Sequence, residues 1–171
     1  MMREGRWLSP TYYYRRVTDI DLDYLAVSGI DTLLIDIDNT ILPRDTGELT
    51  DELTAWAAAL LGRGFKVCLV SNNEPEHVAR IAGQLGLAMV HRALKPLGFG
   101  FRKAVAQLGS RLESSAVVGD QLFTDVLGGN LLGMTTILVE PLSSTDPAHT
   151  LVIRRIERRL LAGRHPLGGQ G

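Results

Sequence analysis

The chain is poor in cysteine, proline and aromatic residues, and each scarcity removes a class of protein. One of its 171 residues is cysteine, so no disulfide scaffold holds the fold. That residue, Cys68, sits in the apolar run Lys66-Val67-Cys68-Leu69-Val70 and reads as a buried, reduced thiol rather than a nucleophile. Seven prolines without a strict glycine repeat exclude a collagen-like chain. No run of about 18 apolar residues occurs, so no membrane-spanning helix is expected. The start, Met1-Met2-Arg3-Glu4-Gly5-Arg6-Trp7, lacks the apolar core of a secretory signal, and a reducing, cytoplasmic setting is expected. An excess of charge is missing too, since the net charge is −1. The local balance is uneven, however. Residues 19–52 carry ten acids against Arg44, residues 151–171 carry five arginines against Glu157, and residues 1–16 carry four arginines against Glu4. The acidic block suits a cation; the basic ends suit anionic lipid, nucleic acid or neither.

What remains is an ordinary globular balance, 45% hydrophobic and 22% charged, on a length that fits one domain. Short apolar runs alternate with amphipathic ones. Strands are expected at 32–37, 66–70, 88–90, 115–119 and 135–139, and helices at 50–63, 74–85, 97–108 and 122–132. Thr50 is placed to cap the first of these helices, Gly62 and Gly64 to stop it, and Gly86 to stop the second. Such alternation predicts right-handed βαβ units: an α/β fold of three layers, a parallel sheet between helices. Sites in these folds lie beyond the carboxyl ends of the strands. There the chain places Asp36-Ile37-Asp38-Asn39-Thr40, Ser71-Asn72-Asn73, Lys95 and Asp120-Gln121.

Asp36 and Asp38, two apart at a strand end, point to one side of the chain, and Asp120 adds a third carboxylate. Like charges so gathered repel, and a hard divalent cation resolves the repulsion; Mg²⁺ is the usual choice for a few carboxylates plus a phosphate. Lys95 brings positive charge, while Ser71 and Asn72 bring donors for phosphate oxygens. This set suits phosphoryl transfer, in which one carboxylate attacks and a second moves protons. A single Asp at such a place is more often a cap or turn residue; three at adjoining strand ends are harder to explain that way.

The same residues carry a resemblance. Asp36-Ile37-Asp38-Asn39-Thr40, Ser71 after its strand, Lys95-Pro96, and Gly119-Asp120-Gln121-Leu122-Phe123-Thr124-Asp125 are similar, in order, to the four motifs of haloacid dehalogenase (HAD) superfamily phosphatases, over roughly residues 30–140. With Gly128-Gly129-Asn130, the front segment and the tail, the chain resembles the capless class IIIA members, the YqeG subfamily, which is related to the mitochondrial phosphatidylglycerophosphate phosphatases. The resemblance implies an HAD-like fold and a Mg²⁺-dependent phosphomonoester hydrolase working through an aspartyl-phosphate. It implies Asp36 as nucleophile and metal ligand, and Asp38 as general acid/base and a metal ligand through its carbonyl. Asp120 becomes the remaining ligand, Ser71 and Lys95 hold the phosphoryl group, and Thr40 and Asp125 support the site. Gln121 stands where many HAD proteins have Asp. Gly98-Phe99-Gly100-Phe101 departs from a more basic helix start and alters the expected substrate rim.

Residues 39–70 and 72–94 are already used by one helix and one strand each, or nearly so, which leaves no room for a cap. An open site suits a bulky substrate such as a lipid head group, with phosphatidylglycerophosphate the leading expectation. The alternatives are a phosphatase of a small metabolite or nucleotide, and a non-catalytic docking protein. His77, His91, His149 and His165 show no ligand spacing and read as ordinary histidines; Trp56 reads as core. Tyr12-Tyr13-Tyr14-Arg15-Arg16 reads as an extended segment packed on the domain, with a membrane interface or nucleic-acid stacking as alternatives. Residues 148–162 form a basic helix with Leu151 or Val152, Ile156 and Leu160 on one side: a solvated helix packed on the sheet, or one resting on anionic lipid. No nucleic-acid partner is expected, and the tail from Gly163 is expected to be mobile. The chain thus divides into an N-terminal extension (1–30), a core (31–142) and a C-terminal segment (143–171).

Overall fold

The structure, a computed structural model, describes residues 6–143 and 148–167. In chain order the elements are β1 (Tyr12–Tyr14), α1 (Leu22–Val27), β2 (Thr32–Ile35), α2 (Asp51–Gly62), β3 (Lys66–Val70), α3 (Pro75–Leu85), β4 (Ala88–Val90), α4 (Phe99–Gln107), β5 (Ser115–Gly119), α5 (Leu127–Leu131), β6 (Thr135–Val139) and α6 (Ala148–Leu160). Residues Leu122–Val126 form one wide helical turn leading into α5, which divides the single helix expected at 122–132.

The six strands are all parallel, in the order β1-β6-β5-β2-β3-β4. Side chains alternate across the sheet as the two-residue period requires. Leu33, Ile35, Val67, Leu69, Ala116 and Val118 enter one core, under Leu25 of α1, Leu53 and Leu60 of α2, and Val78 and Ile81 of α3. Leu34, Cys68, Val70 and Val117 enter the other, under Phe101, Ala104 and Val105 of α4. The result is the three-layer architecture expected from the sequence. No insertion between β2 and β3 or between β3 and β4 forms a cap.

Local signals set the boundaries. Asp21 caps α1 by accepting the Tyr24 N–H at 2.9 Å, and Thr50 caps α2 by accepting that of Leu53 at 3.2 Å. Gly86 ends α3 at φ 66°, a left-handed conformation open to glycine. Gly100 has a different reason: a Cβ there would overlap Ala93, so α4 lies close against the loop that leads to Lys95. Tyr12–Tyr14 forms an edge strand beside β6, in line with an extended packed segment. Asn130 fastens the segment before it, donating to the carbonyls of Trp7 and Ser9 at 2.7 and 3.0 Å. Trp56 is half-buried against the first core.

Cys68 is fully buried, and burial pushes its thiol up to about 12. An ordinary thiol titrates near 8.5, so at pH 8.5 iodoacetamide is expected to spare the native protein and label it in denaturant. Mass spectrometry of the intact chain checks this; rapid native labelling would contradict the burial.

Candidate active site

Register brings the strand ends together. Ile35 lies beside Leu69 and Val118, and the Asp36 N–H continues the ladder to the Val118 carbonyl at 2.9 Å. The chain thus leaves the sheet at Asp36, Ser71 and Asp120 on adjoining central strands. After Asp36 it turns at once. The N–H groups of Thr40, Ile41 and Leu42 all reach the Ile37 carbonyl, and Asn39 sits at φ 58°. Asn39 tolerates that left-handed conformation better than most residues, and its side chain accepts from Ser143 Oγ at 2.8 Å. The loop after β6 therefore braces the one after β2.

Lys95 is the hub. Its Nζ donates to Asp36 Oδ1 at 2.5 Å and to Asp125 Oδ1 at 2.7 Å, with only 3% of the side chain exposed. Burial alone would lower its pKa, but Asp125 and Asp36 outweigh burial and hold it above the usual lysine value. The Thr40 hydroxyl lies 3.1 Å from Asp36 Oδ2 and 3.3 Å from Asp120 Oδ1, so it bridges the two carboxylates. Burial first, then Asp36, pushes Asp120 above the usual carboxylate range, against the pull of Arg154. Asp125 is raised by burial and by Asp36, against the pull of Lys95. A Cβ on Gly119 would overlap the Asp125 carboxylate, so glycine is what lets that group approach the strand end.

Oxygens of Asp36, Asp120 and Asp125 all lie within 4.8 Å of one another. Lys95 and Arg154 face these three carboxylates, and Arg154 also meets Glu157, so four acids share two cations. An all-oxygen donor set with surplus negative charge fits a hard divalent cation such as Mg²⁺.

Five residues singled out in the sequence, Asp36, Thr40, Lys95, Asp120 and Asp125, join in this hydrogen-bonded centre. The Asp38 carboxylate stands apart from it, bonded to Asn73 Nδ2 and 3.4 Å from His77 Nε2. The Ser71 hydroxyl is buried at the end of β3 and accepts the Asn73 N–H at 3.1 Å. Asn72, expected as a phosphate donor, has a further part in the loop. Its side chain grips the Lys95 main chain, donating to the carbonyl at 3.2 Å and accepting the N–H at 2.8 Å. An amide NH₂ has two N–H groups, and one of them is engaged in placing Lys95.

Three residues were missed by sequence reasoning. His77 lies in the first turn of α3, whose start faces the strand ends, and that position was the available signal. Arg154 and Glu157 lie on α6, where an apolar stripe through Ile156 and Leu160 was expected to face the sheet or, as the alternative, anionic lipid. The side chains of Leu151 and Val152, part of that stripe, and His149 lie outside the described residues. The structure instead turns Ile156 and Leu160 outward, 45% and 48% exposed, and buries Glu157. Arg154 is the residue that bonds Asp120. Satisfying a buried carboxylate outweighs burying two aliphatic side chains.

Around the centre, Leu94, Leu97 and Phe99, on the segment that carries Lys95, are 60%, 56% and 70% exposed. Between β6 and α6 lies a cavity of about 580 Å³ with Asp120 and Arg154 in its wall and apolar sides formed by Leu122, Leu138 and Leu161.

Residues 27–133 match the family model described as haloacid dehalogenase-like hydrolase. The probable phosphatase YqeG of Bacillus subtilis is 35% identical over 157 residues, 92% of this chain and 91% of its own. A chloroplastic phosphatidylglycerophosphate phosphatase 1 of Chlamydomonas reinhardtii is 30% identical over 88% of this chain and 61% of its own. Among solved structures, the cobalt-bound deoxy-D-mannose-octulosonate 8-phosphate phosphatase of Haemophilus influenzae superposes with a TM-score of 0.53 at 14% identity, over 80% of this chain and 90% of its own, which shows a shared fold.

Proposed function

The chain belongs to the haloacid dehalogenase-like hydrolases and is a phosphatase, and from that premise we propose that it cleaves a lipid phosphomonoester through an aspartyl-phosphate on Asp36. The observation that carries this reading is the junction at Asp36, where Lys95 Nζ and the Thr40 hydroxyl hold one oxygen each of a carboxylate at a strand end. That carboxylate is aimed by a buried ammonium, as a nucleophile must be.

Asp36 attacks phosphorus, and the bond to the leaving oxygen breaks as the acyl phosphate forms. Asp38, outside the crowded centre and beside His77, gives the leaving oxygen its proton. It later takes one from the water that attacks the phosphorus and frees Asp36 and inorganic phosphate. The Ser71 hydroxyl and Lys95 hold the phosphoryl oxygens; Asn72 and Asp125 hold Lys95. Asp36 and Asp120, with the Asp38 carbonyl, would hold Mg²⁺, which when bound offsets charge on the phosphoryl oxygens.

The lipid reading rests on the rim. With no cap, the substrate's surroundings must help to exclude water. Leu94, Leu97 and Phe99 expose apolar surface beside Lys95. On α6, the exposed Ile156 and Leu160 alternate with exposed Arg155 and Arg159, a pattern suited to an anionic interface. No helix among the described residues is long and apolar enough to cross a membrane, so such contact would be peripheral. A sequence relative is named for phosphatidylglycerophosphate, which makes that lipid the first substrate to try.

The test is phosphate release by the purified chain, in Mg²⁺ and in EDTA, from p-nitrophenyl phosphate and from phosphatidylglycerophosphate in mixed micelles. Mg²⁺-dependent release from the lipid at well above the aryl phosphate rate is expected. Release from the aryl phosphate alone would keep the mechanism and remove the lipid. Release from neither, by folded protein with Mg²⁺ present, would overturn the mechanism.

A further inference from the structure

α6 reaches the centre from outside the strand-end loops. Arg154 donates through Nη2 to Asp120 Oδ2 and through Nη1 to the Asp120 carbonyl at 2.5 Å. One turn on, Glu157 accepts from Arg154 Nη1 at 3.3 Å and from the N–H groups of Leu122 and Phe123 at 2.7 and 3.4 Å. The guanidinium is therefore anchored by the helix that bears it and by the loop it reaches. Its side chain is 12% exposed, and that of Asp120 is wholly buried. The other oxygen of Asp120, Oδ1, is the one that shares the Thr40 hydroxyl with Asp36. Asp120 thus has a fixed cation on one oxygen and turns the other toward Asp36.

We propose that Arg154 is a resident counter-cation of the active site, which shares Asp120 with an incoming divalent ion and lowers the site's affinity for it. This rests on the metal-dependent reading above. A guanidinium stays charged in proteins and has no acceptor to offer an incoming ion. Held on the same carboxylate, in a buried setting where charge is poorly screened, it repels that ion. Without it, the three carboxylates would face Lys95 alone and Glu157 would lose its cation, and once ionised this larger set would draw a divalent ion harder. In exchange Arg154 keeps Asp120 in one orientation whether or not an ion is present. An arginine that only packed α6 onto the domain has the opposite signature: its loss would loosen the loop and weaken ion binding.

The two signs separate the cases. Binding of Mn²⁺ alone to the full chain is read from the electron paramagnetic resonance signal of the free aqueous ion, with no substrate and no turnover. Wild type is compared with Arg154→Gln, Arg154→Met and Arg154→Lys. Circular dichroism confirms folding, and sucrose in every buffer supports the weaker variants. A full charge at this range shifts a neighbouring carboxylate by about one to three pK units, and with a repulsion of similar size on the ion the two neutral variants are expected to bind Mn²⁺ at least about tenfold tighter than wild type. Lysine restores the charge, and Arg154→Lys is expected to lie closer to wild type than either neutral variant. Equal or weaker Mn²⁺ binding by a folded neutral variant overturns the proposal and leaves the phosphatase reading standing. A wild type that binds no Mn²⁺ removes the metal-dependent reading, and this proposal with it.

Discussion

Asp36→Asn is expected to abolish phosphate release, with at least about a 10³-fold loss of kcat/KM, while the protein without metal melts no lower than wild type. The two halves of this result have one cause. Asparagine is nearly isosteric with aspartate but is no nucleophile toward phosphorus, so the proposed acyl phosphate could not form. It also removes a charge from a crowded place. Burial, and then Asp36, push the carboxylates of both Asp120 and Asp125 above their ordinary range. A carboxyl whose pKa is higher folded than unfolded holds its proton more tightly in the native state. Above the unfolded pKa the folded state then binds more protons, so stability falls as pH rises toward the folded value. Removing Asp36 shrinks that loss. In EDTA, the melting temperature of Asp36→Asn is therefore expected to gain on wild type as pH goes from 5 to 8. Differential scanning calorimetry across that range, beside a phosphate-release assay, checks both halves. A variant keeping more than about a tenth of the activity would remove Asp36 from its proposed part; one melting well below wild type would reverse the charge argument.

The residues at the strand ends were easier to place from sequence than the contacts around them. Asp36, Asp120 and Lys95 follow apolar strands, and the two-residue period places them at one edge whatever the helices do. Thr50 and Gly86 announce helix ends through backbone chemistry that does not depend on the rest of the fold. The misjudged residues depend on contacts between distant segments. Arg154 lies 34 positions from Asp120 and faces inward only because a buried carboxylate is there to receive it. A stripe through Ile156 and Leu160 left the sheet and a lipid surface both open, since periodicity records hydrophobicity and not the need to satisfy a buried charge. The bracing part of Asn72 was hidden for a similar reason: its amide matches the Lys95 main chain 23 positions away, a pairing that local sequence does not reveal. His77 is ordinary by spacing and significant only by the place where α3 begins.

Lys95→Met is expected to lose activity to a similar degree and, unlike Asp36→Asn, to unfold easily. Methionine fills much of the same space, so the change isolates the charge. Asp36 and Asp125 then lose the ammonium that lies 2.5 and 2.7 Å from them. Breaking a buried pair by removing one partner costs about 3–5 kcal/mol, because the other charge is left without compensation. For a chain of this size that corresponds to a melting point lower by about 10 °C. Adding Asp125→Asn to Lys95→Met removes one of the stranded carboxylates and is expected to recover more than half of the stability and none of the activity. Such recovery would show non-additivity between two residues in contact, which a loss of general packing would not give. A Lys95→Met protein that melted within about 2 °C of wild type would mean the ammonium does not hold the carboxylates together. Full activity in that variant would mean it does not hold the phosphoryl group either. The expected pair, low activity with recoverable stability, ties both tasks to one buried nitrogen. Asp125 serves the same end from the far side: it keeps that nitrogen charged and aimed at Asp36 before any substrate arrives.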